Sequence, residues 1–394
     1  MTPSARVQAA IELLDEVVAA ARGGGAAADT LIARYFKTRR YAGSGDRRAI
    51  RDHVYAAIRR AGDPPVSGRA AMVGVAAGSP ELSALFDGSP HGPMPIDPAE
   101  PAAVRSVAPA WLMNRLSASL DGPEIEAMLD RAPLDLRVNR LKGDRADVLA
   151  AFPQAAATPH SPVGVRLADP IQVEAHPLWN AGVIEIQDEG SQLIALACAA
   201  RPGETVVDLC AGAGGKTLAL AAEMGGEGRI VACDTDRARL SRLAPRAARA
   251  GADAVETRLL DPGKELDPLG DVRDAADLVL VDAPCSGSGT WRRNPEARWR
   301  LTPDRLARLQ ATQARLLDIA AALVRPGGRM VYAVCSLIDD EGADQIAAFL
   351  SRNPGWTAGL PLAGAGRARG QGLMLSPAHD GTDGFFIAGL HRPC

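Results

Sequence analysis

The amino-acid sequence predicts an α/β protein with a doubly wound sheet in its C-terminal half, preceded by a small α+β subdomain and an N-terminal all-helical domain. Three patterns support this fold class. Apolar side chains recur at helical spacing through the first 62 residues, a stretch near residue 133 alternates apolar and polar side chains, and short apolar runs begin near residue 204. Apolar runs that alternate with helices are typical of a parallel sheet covered on both faces.

The first predicted domain, residues 1–128, is helical and includes a linker. Apolar residues at helical spacing run from Val7 to Val18 in the first helix, before a run of three glycines. A later helix that begins at Ser44-Gly45-Asp46 has Ile50, Val54 and Ile58 on one side and arginines on the other, which fits either a solvated surface or contact with RNA. The stretch 63–108 is rich in Pro, Gly and Ala, and we expect short helices and the linker there.

The second predicted domain, residues 129–195, is a small α+β subdomain. Residues 133–140 alternate in polarity and predict a strand, and residues 145–152 predict a helix. Further strands over 163–173 and 182–186 complete the subdomain.

The third predicted domain, residues 196–394, contains the doubly wound sheet. Thr302 and Pro303 form a typical helix start, with a capping hydroxyl before a proline in the first turn. The tail over 384–390 is predicted to pair with 372–375 in a hairpin. The parallel strands are predicted at Thr205–Leu209, Arg229–Cys233, Val255–Leu259, Leu278–Val281 and Arg329–Val334.

The composition excludes several classes of protein. The 394 residues carry 23% charged side chains and a net charge of −3, so there is no bulk basic excess of the kind many nucleic-acid-binding proteins have. The six cysteines form no Cys-x-x-Cys pair and no histidine cluster lies near them, so we predict no metal site. No run of 18 apolar residues occurs and the N-terminus is amphipathic, so we expect a cytoplasmic monomer with reduced thiols and no membrane segment.

A glycine-rich loop follows the first predicted strand of the large sheet. It matches neither the dinucleotide order G-x-G-x-x-G nor the phosphate-binding Walker order, so a nucleoside without free phosphate, such as S-adenosylmethionine, is the favoured ligand. A structural turn without a ligand is the alternative, since glycine serves close approach and tight turns alike. The loop provides the candidate cofactor-binding residues Cys210, Ala211, Gly212, Ala213, Gly214, Gly215 and Lys216.

Acidic side chains follow the next three strands. Asp234 lies 19 residues after Gly215, where an acid commonly binds ribose hydroxyls, and Asp261 and Asp282 follow later strands. Because the carboxyl ends of parallel strands meet at one edge of the sheet, these acids suit a nucleoside with hydroxyls and an exocyclic amine. Lys216 would approach the carboxylate of the cofactor or the substrate base, or else be a solvated first-turn lysine.

Two cysteines end apolar strands at the same predicted edge. Cys285 follows the fourth strand in a Pro-Cys pair, and Cys335 follows the fifth. A thiolate is a strong nucleophile, so this pair indicates covalent chemistry on a flat, electron-poor ring beside the cofactor. The alternative is that both are packed cysteines at strand ends.

These motifs resemble the Nop/Sun group of RNA cytosine-5 methyltransferases, with the bacterial RsmB-type rRNA enzymes as nearest relatives. The pair of cysteines is specific, because most other methyltransferases lack it. The family loop usually reads Cys-Ala-Ala-Pro-Gly-Gly-Lys, and here Gly212 and Ala213 replace the second Ala and the Pro. The stretches that carry the resemblance are Asp208–Thr217, Val281–Thr290, Val334–Ser336, Asp383–Phe386, Arg137–Asn139 and Gln187–Gln192.

The resemblance implies a Rossmann-like methyltransferase sheet, an RNA-recognition role for residues 129–195 and a NusB-like N-terminal domain. It implies transfer of a methyl group from S-adenosylmethionine to carbon 5 of a cytidine in rRNA. Cys335 would attack carbon 6, Cys285 would assist release, and Asp282 would contact the base or the cofactor amine. DNA cytosine-5 methyltransferases carry their nucleophile in a Pro-Cys pair, so swapped roles and a DNA enzyme using Cys285 stay open. A non-catalytic, RNA-binding ribosome assembly factor is a further alternative.

RNA contacts are predicted on two segments. Arg137 and Asn139 in the small subdomain would face RNA, or else serve strand pairing. Arg292 and Arg293 are interleaved with tryptophans, a pattern that suits phosphate contacts and base stacking. Trp299 would stack on a base or anchor its own loop. In a duplex the target base would have to be flipped out.

Overall fold

The computed structural model describes residues 1–169 and 171–394, which form two compact units. The first unit, the helical unit, contains residues 1–130 and 290–305, and the second, the sheet unit, contains residues 131–289 and 306–394. The chain therefore leaves the sheet unit after Gly289, contributes 16 residues to the helical unit and returns. The predicted domain boundaries at 128 and 195 stay predictions.

The helical unit is built from helices joined by short turns, and its helical character is as predicted. In the first helix, the Thr2 hydroxyl accepts a bond from the Ala5 amide and Pro3 occupies the first turn, while Gly24 ends the helix with a φ of 71°. The helices are α1 Pro3–Gly23, α2 Ala28–Thr38, α3 Ser44–Arg60, α4 Gly68–Ala76, α5 Pro80–Ser83, α6 Ala110–Ser119 and α7 Gly122–Ala127.

The segment 290–305 packs into the core of the helical unit. Trp299 is buried among the core side chains of the first helices, and its indole N–H donates to the Ala61 carbonyl at 2.7 Å. Arg298 donates to the carbonyls of Ile58 (2.6 Å) and Ala61 (2.9 Å), which caps the C-terminal end of α3. Trp299 therefore anchors its own segment, one of the two roles that the sequence leaves open.

The sheet unit begins with a small antiparallel sheet. Its strand order is β2-β3-β1-β4, and Leu136 of β1 faces Val165 of β3 and Ile186 of β4. The predicted strand over 163–173 is shorter in the structure, because β3 ends at Leu167 and residues 173–175 form a 3₁₀ turn. Residue 170 lies outside the described residues. The elements are β1 Leu134–Val138, α8 Arg145–Ala151, β2 Ala156–Ala157, β3 Gly164–Leu167, α9 Pro177–Asn180 and β4 Ile184–Ile186.

The large sheet contains the five predicted parallel strands in the order β7-β6-β5-β8-β9. The predicted tail hairpin is also present: β12 pairs with β13, and β13 lies antiparallel beside β9. The strands are β5 Thr205–Asp208, β6 Arg229–Asp234, β7 Val255–Leu259, β8 Ala276–Asp282, β9 Val324–Val334, β10 Thr357–Gly359, β11 Arg367–Arg369, β12 Gly372–Leu375 and β13 Phe385–His391.

Apolar layers cover both faces of this sheet. Val206 packs into one layer and Val207 into the other, which explains why the central strands read as continuous apolar runs. None of the helices in the described residues combines the length and apolar character needed to cross a membrane. The helices of this part are α10 Glu189–Ala197, α11 Gly215–Glu223, α12 Arg237–Leu240, α13 Leu243–Ala250, α14 Pro303–Leu323, α15 Ala343–Arg352 and α16 Pro377–Asp380.

Candidate active site

A cavity of about 350 Å³ lies at the carboxyl ends of β5, β6, β8 and β9. This is the edge where the strand order reverses between β5 and β8, the usual ligand position in an open α/β sheet. Five residues predicted from the sequence line it together: Cys210, Asp234, Asp282, Cys285 and Cys335. The structure therefore brings two of the three predicted acids and both thiols to one cavity, and the third acid, Asp261, is not among its lining residues.

The glycine loop supports this cavity through its backbone. Gly212 and Gly214 have positive φ angles of 56° and 87°, and a Cβ on Gly214 would lie 1.9 Å from Leu243 Cδ1. The Gly212 amide donates to Asp234 Oδ2 at 2.7 Å. The Ala213 carbonyl accepts a hydrogen bond from the Arg246 guanidinium at 2.6 Å. The glycines are thus required for a tight turn that opens α11.

The acids at the strand ends have different surroundings. Asp234 is nearly buried and also accepts from the Asp236 amide at 2.7 Å, so it organises the turn after β6 while it lines the cavity. Asp261 is exposed, and its neighbours Leu260 and Pro262 line the cavity instead. Cofactor contact by Asp261 stays a prediction.

Lys216 pairs with Asp282 across the site. Its ammonium group donates to Asp282 Oδ2 at 2.6 Å, which makes it a partly buried, paired lysine rather than a solvated one. Burial by itself would lower the pKa of Lys216, but the charge of Asp282 and its hydrogen bond raise it above its ordinary value. Lys216 is therefore a fixed positive charge at the end of β8.

The two cysteines are in direct contact. Cys285 Sγ and Cys335 Sγ lie 3.3 Å apart, and both side chains are partly exposed toward the cavity. The hydrogen bond to Cys335, together with burial, raises the pKa of the Cys285 thiol well above its ordinary range. Cys285 therefore holds its proton tightly at neutral pH.

The structure also reveals cavity residues that the sequence analysis missed. Thr312, Arg315 and Leu316 of α14 line the cavity at i, i+3 and i+4, so they share one helix face. Arg239 lies in α12, which follows β6, and Glu265 lies in the segment that follows β7. Helical spacing could have grouped the first three, but nothing in the sequence shows that this face of α14 meets the sheet edge.

The predicted RNA-binding residues are mostly buried. Arg137 is 2% exposed and donates to Gln187 at 2.6 Å, and Asn139 is also 2% exposed and donates to the carbonyls of Gly182 and Ala250 at 2.9 Å. Arg292 is buried within the helical unit. The contacts of Arg137 and Asn139 serve packing inside the sheet unit, and RNA contact by any of these residues stays a prediction.

Metal ligands are not grouped in the part of the chain that the structure describes. Within residues 1–169 and 171–394, no three His, Cys, Asp or Glu side chains lie close enough together to hold a metal ion.

Comparison with known proteins gives consistent matches along most of the chain. Residues 195–391 match the family model of the 16S rRNA methyltransferase RsmB/F, and residues 108–174 match the ferredoxin-like domain of RsmF/B-like methyltransferases. Ribosomal RNA small subunit methyltransferase B of Citrobacter koseri is 35% identical over 301 residues, which cover 73% of this chain and 67% of that protein. The matched stretch therefore spans about two thirds of this curated relative.

Solved structures show the same architecture. The crystal structure of PH0851 is 25% identical with a TM-score of 0.80 and covers 100% of this chain and 99% of its own. A methyltransferase homologue from Pyrococcus horikoshii is 28% identical with a TM-score of 0.63, covering 72% of this chain and 94% of its own. Because the family model matches half of the chain and the curated relative is 35% identical over two thirds of its own length, the chain belongs to the RsmB/F family of 16S rRNA methyltransferases, within the Nop/Sun group.

Proposed function

We propose that this protein transfers a methyl group from S-adenosylmethionine to carbon 5 of a cytidine in rRNA, through a covalent bond between Cys335 and the ring. Cys285 assists the release of the product. The observation that carries the proposal is the 3.3 Å contact between two thiols at a cavity lined by strand-end carboxylates. The rRNA substrate follows the names of the curated relatives.

The residues of the cavity fit a nucleoside cofactor. Asp234 uses each carboxylate oxygen once within the protein, which leaves lone pairs for the ribose hydroxyls. Leu209, Leu260 and Pro262 provide apolar surface for an adenine ring. The cofactor supplies an electrophilic methyl group on a sulfonium, and this ligand needs no phosphate site.

The surroundings of the thiols support the assignment of their roles. A thiolate at Cys335 would gain from the nearby positive charge of Lys216, which suits the group that adds to carbon 6 of the ring. The addition moves the ring electrons to carbon 5 and makes that carbon nucleophilic. Asp282, held by Lys216, faces the same cavity and would bind the polar edge of the base or the cofactor amine.

Release requires a base and a leaving group. After methylation, the proton on carbon 5 passes to a base, its electron pair restores the double bond between carbons 5 and 6, and the bond from carbon 6 to the Cys335 sulfur breaks. A thiol with a raised pKa, such as Cys285, keeps its proton and is less suited to attack as a resident thiolate. It can take up the carbon-5 proton only after it has lost its own proton to solvent, and the raised pKa then makes its thiolate a stronger base. This argument favours Cys335 as the nucleophile over the reverse assignment.

The test separates the two thiols by their products. Each variant is incubated with S-adenosylmethionine and unmethylated 16S rRNA, and covalent adducts are resolved on a denaturing gel. We expect Cys335→Ala to lose methyl transfer but to keep cofactor binding, whereas Cys285→Ala accumulates a protein–RNA adduct. Cys394→Ala, which changes an exposed cysteine, is the matched control and should behave like the unmodified protein.

Other results would select the alternatives. An adduct with Cys335→Ala instead of Cys285→Ala would reverse the two roles. Methylation of DNA in preference to rRNA would favour a DNA enzyme. Cofactor binding or RNA binding without any methyl transfer would favour the assembly-factor role. Bisulfite sequencing of rRNA from a deletion strain would identify the cytidine.

A further inference from the structure

A buried carboxylate lies behind the two thiols. Glu341 is fully buried at the end of a 3₁₀ turn that precedes α15. Its Oε1 accepts from the Ser286 amide at 2.8 Å, and its Oε2 accepts from the Ser336 hydroxyl at 2.6 Å and also from the Ser286 hydroxyl. Ser286 directly follows Cys285, and Ser336 directly follows Cys335. One carboxylate thus binds both cysteine loops at the residue next to each thiol.

A third serine and a glutamine extend these contacts. The Ser288 hydroxyl lies 3.2 Å from the Ser336 hydroxyl and accepts from the Leu337 amide at 2.9 Å. Gln313 donates to Glu341 Oε1 at 3.0 Å and to the carbonyl of Pro284, the residue before Cys285, at 2.9 Å. All three serine hydroxyls are buried, so each has only protein partners to satisfy it.

The strength of this arrangement follows from its chemistry. Both carboxyl oxygens of Glu341 accept hydrogen bonds, and a hydrogen bond in a buried site is electrostatically stronger than one in water. Removing the shared acceptor leaves several buried donors without partners, and the loops must move to satisfy them. Such movement changes the separation of the two sulfurs, because each sulfur belongs to the residue beside a bonded serine.

We propose that Glu341 is a positioning residue that holds the two cysteine loops in register and thereby sets the separation of the two reacting sulfurs. Its effect on turnover rests on the proposed function, whereas its effect on the sulfur separation does not. Glu341 touches neither ring nor cofactor in this account and acts only through Ser286 and Ser336.

The first experiment measures the sulfur separation without RNA. Diamide accepts the two protons and two electrons of a thiol pair and becomes a hydrazine, leaving a disulfide, and closure from 3.3 Å to a normal bond needs only a small approach. In a Cys394→Ser background, we expect the unmodified protein to form the bond between Cys285 and Cys335 rapidly, as identified by peptide mapping. Glu341→Ala should slow this closure by roughly tenfold or more.

Two further variants keep the test informative if Glu341→Ala does not fold. Glu341→Gln keeps an acceptor oxygen for one loop and should give an intermediate rate, and Ser336→Ala removes a single bond and should give a smaller loss. The matched control is Glu124→Gln, a buried carboxylate that caps α7, which should close at the unmodified rate. Unchanged closure in folded Glu341→Ala and Ser336→Ala would overturn the proposal.

The second experiment measures turnover. We expect kcat for rRNA methylation to fall about 10- to 100-fold in Glu341→Ala while KM for S-adenosylmethionine stays constant, with partial recovery in Glu341→Gln. A general loss of folding would change both kcat and KM, and Glu341→Gln would then show no partial recovery of kcat. Slower disulfide closure with unchanged kcat would overturn the catalytic half of the proposal. If the unmodified protein methylates no rRNA, the proposed function fails, and the disulfide rates still decide the role of Glu341.

Discussion

The buried carboxyl group of Asp208 gives the sheet unit a pH-dependent stability. Asp208 ends β5, is 1% exposed, and has one oxygen bonded to the Thr217 hydroxyl at 2.7 Å, while its other oxygen has no hydrogen-bond partner among the residues that the structure describes. Burial raises the pKa of Asp208 from 3.8 to about 7, and the Asp282 charge adds to the rise, although the Thr217 bond opposes it. The native protein therefore binds a proton that the unfolded chain releases well below neutral pH.

The sign and size of the effect follow from that difference. Because the pKa is raised in the folded state, the stabilising contribution is present at low pH and is lost as the pH rises through about 7. Between pH 5 and pH 8, the unfolded chain has already ionised, whereas the native group ionises within this range. Proton linkage then lowers the free energy of unfolding by about 3 kcal/mol over the interval.

The free energy of unfolding is measured by urea denaturation at pH 5 and at pH 8, and unfolding is monitored by a spectroscopic signal from the sheet unit. Asp208→Asn keeps an oxygen for the Thr217 hydroxyl but does not titrate, so we expect it to lose most of the decrease of about 3 kcal/mol. Asp253→Asn, which removes an exposed carboxylate, should keep the decrease of the unmodified protein. If Asp208→Asn retains the full decrease, other groups cause it and the reasoning about Asp208 is refuted.

Two further predictions concern cofactor binding and the helical unit. Asp234→Ala should weaken S-adenosylmethionine binding by about 10- to 100-fold in calorimetry, because the ribose hydroxyls lose the carboxylate that would accept their hydrogen bonds. Equal affinity would contradict a role of Asp234 in cofactor binding. Trp299→Ala should lower the stability of the helical unit by about 3–5 kcal/mol, because it empties a buried site and removes the indole hydrogen bond to the Ala61 carbonyl, which keeps its bond from Arg298. Hydrogen exchange of α1 and α3 measures the second loss, and unchanged protection of both helices would show that Trp299 is not the anchor.

The large sheet was predictable because its physical signal is local. Each central strand is buried on both faces, so β8 appears in the sequence as a continuous apolar run that ends at Asp282. The rule that ligands bind at the carboxyl ends of parallel strands then brought Asp234, Asp282 and both thiols together. Neither the apolar runs nor the rule about strand ends requires knowledge of which strands are neighbours in the sheet.

The missed residues depend on long-range packing. Glu341 lies in a short turn with two other acids, and the sequence gives no sign that its side chain is buried while Asp339 and Asp340 are partly exposed. Arg137 lies in β1 and Asn139 directly follows it, and alternation cannot show that both are buried by hydrogen bonds to residues distant in sequence. Contacts of that kind are set by the packing of elements far apart in sequence.

The order of the strands explains why the two thiols and the Lys216–Asp282 pair meet at this edge of the sheet. β8 lies between β5, which the glycine-rich loop follows, and β9, which Cys335 follows. The parallel register places Asp282 opposite Ala333, and neighbouring strands are about 4.8 Å apart, so the segments that follow emerge side by side. Asp282 can therefore pair with Lys216 on one side of β8 while Cys285 contacts Cys335 on the other. A strand inserted between β8 and β9 would separate the thiols by about 10 Å. A ring bonded to one sulfur would then be out of reach of the other.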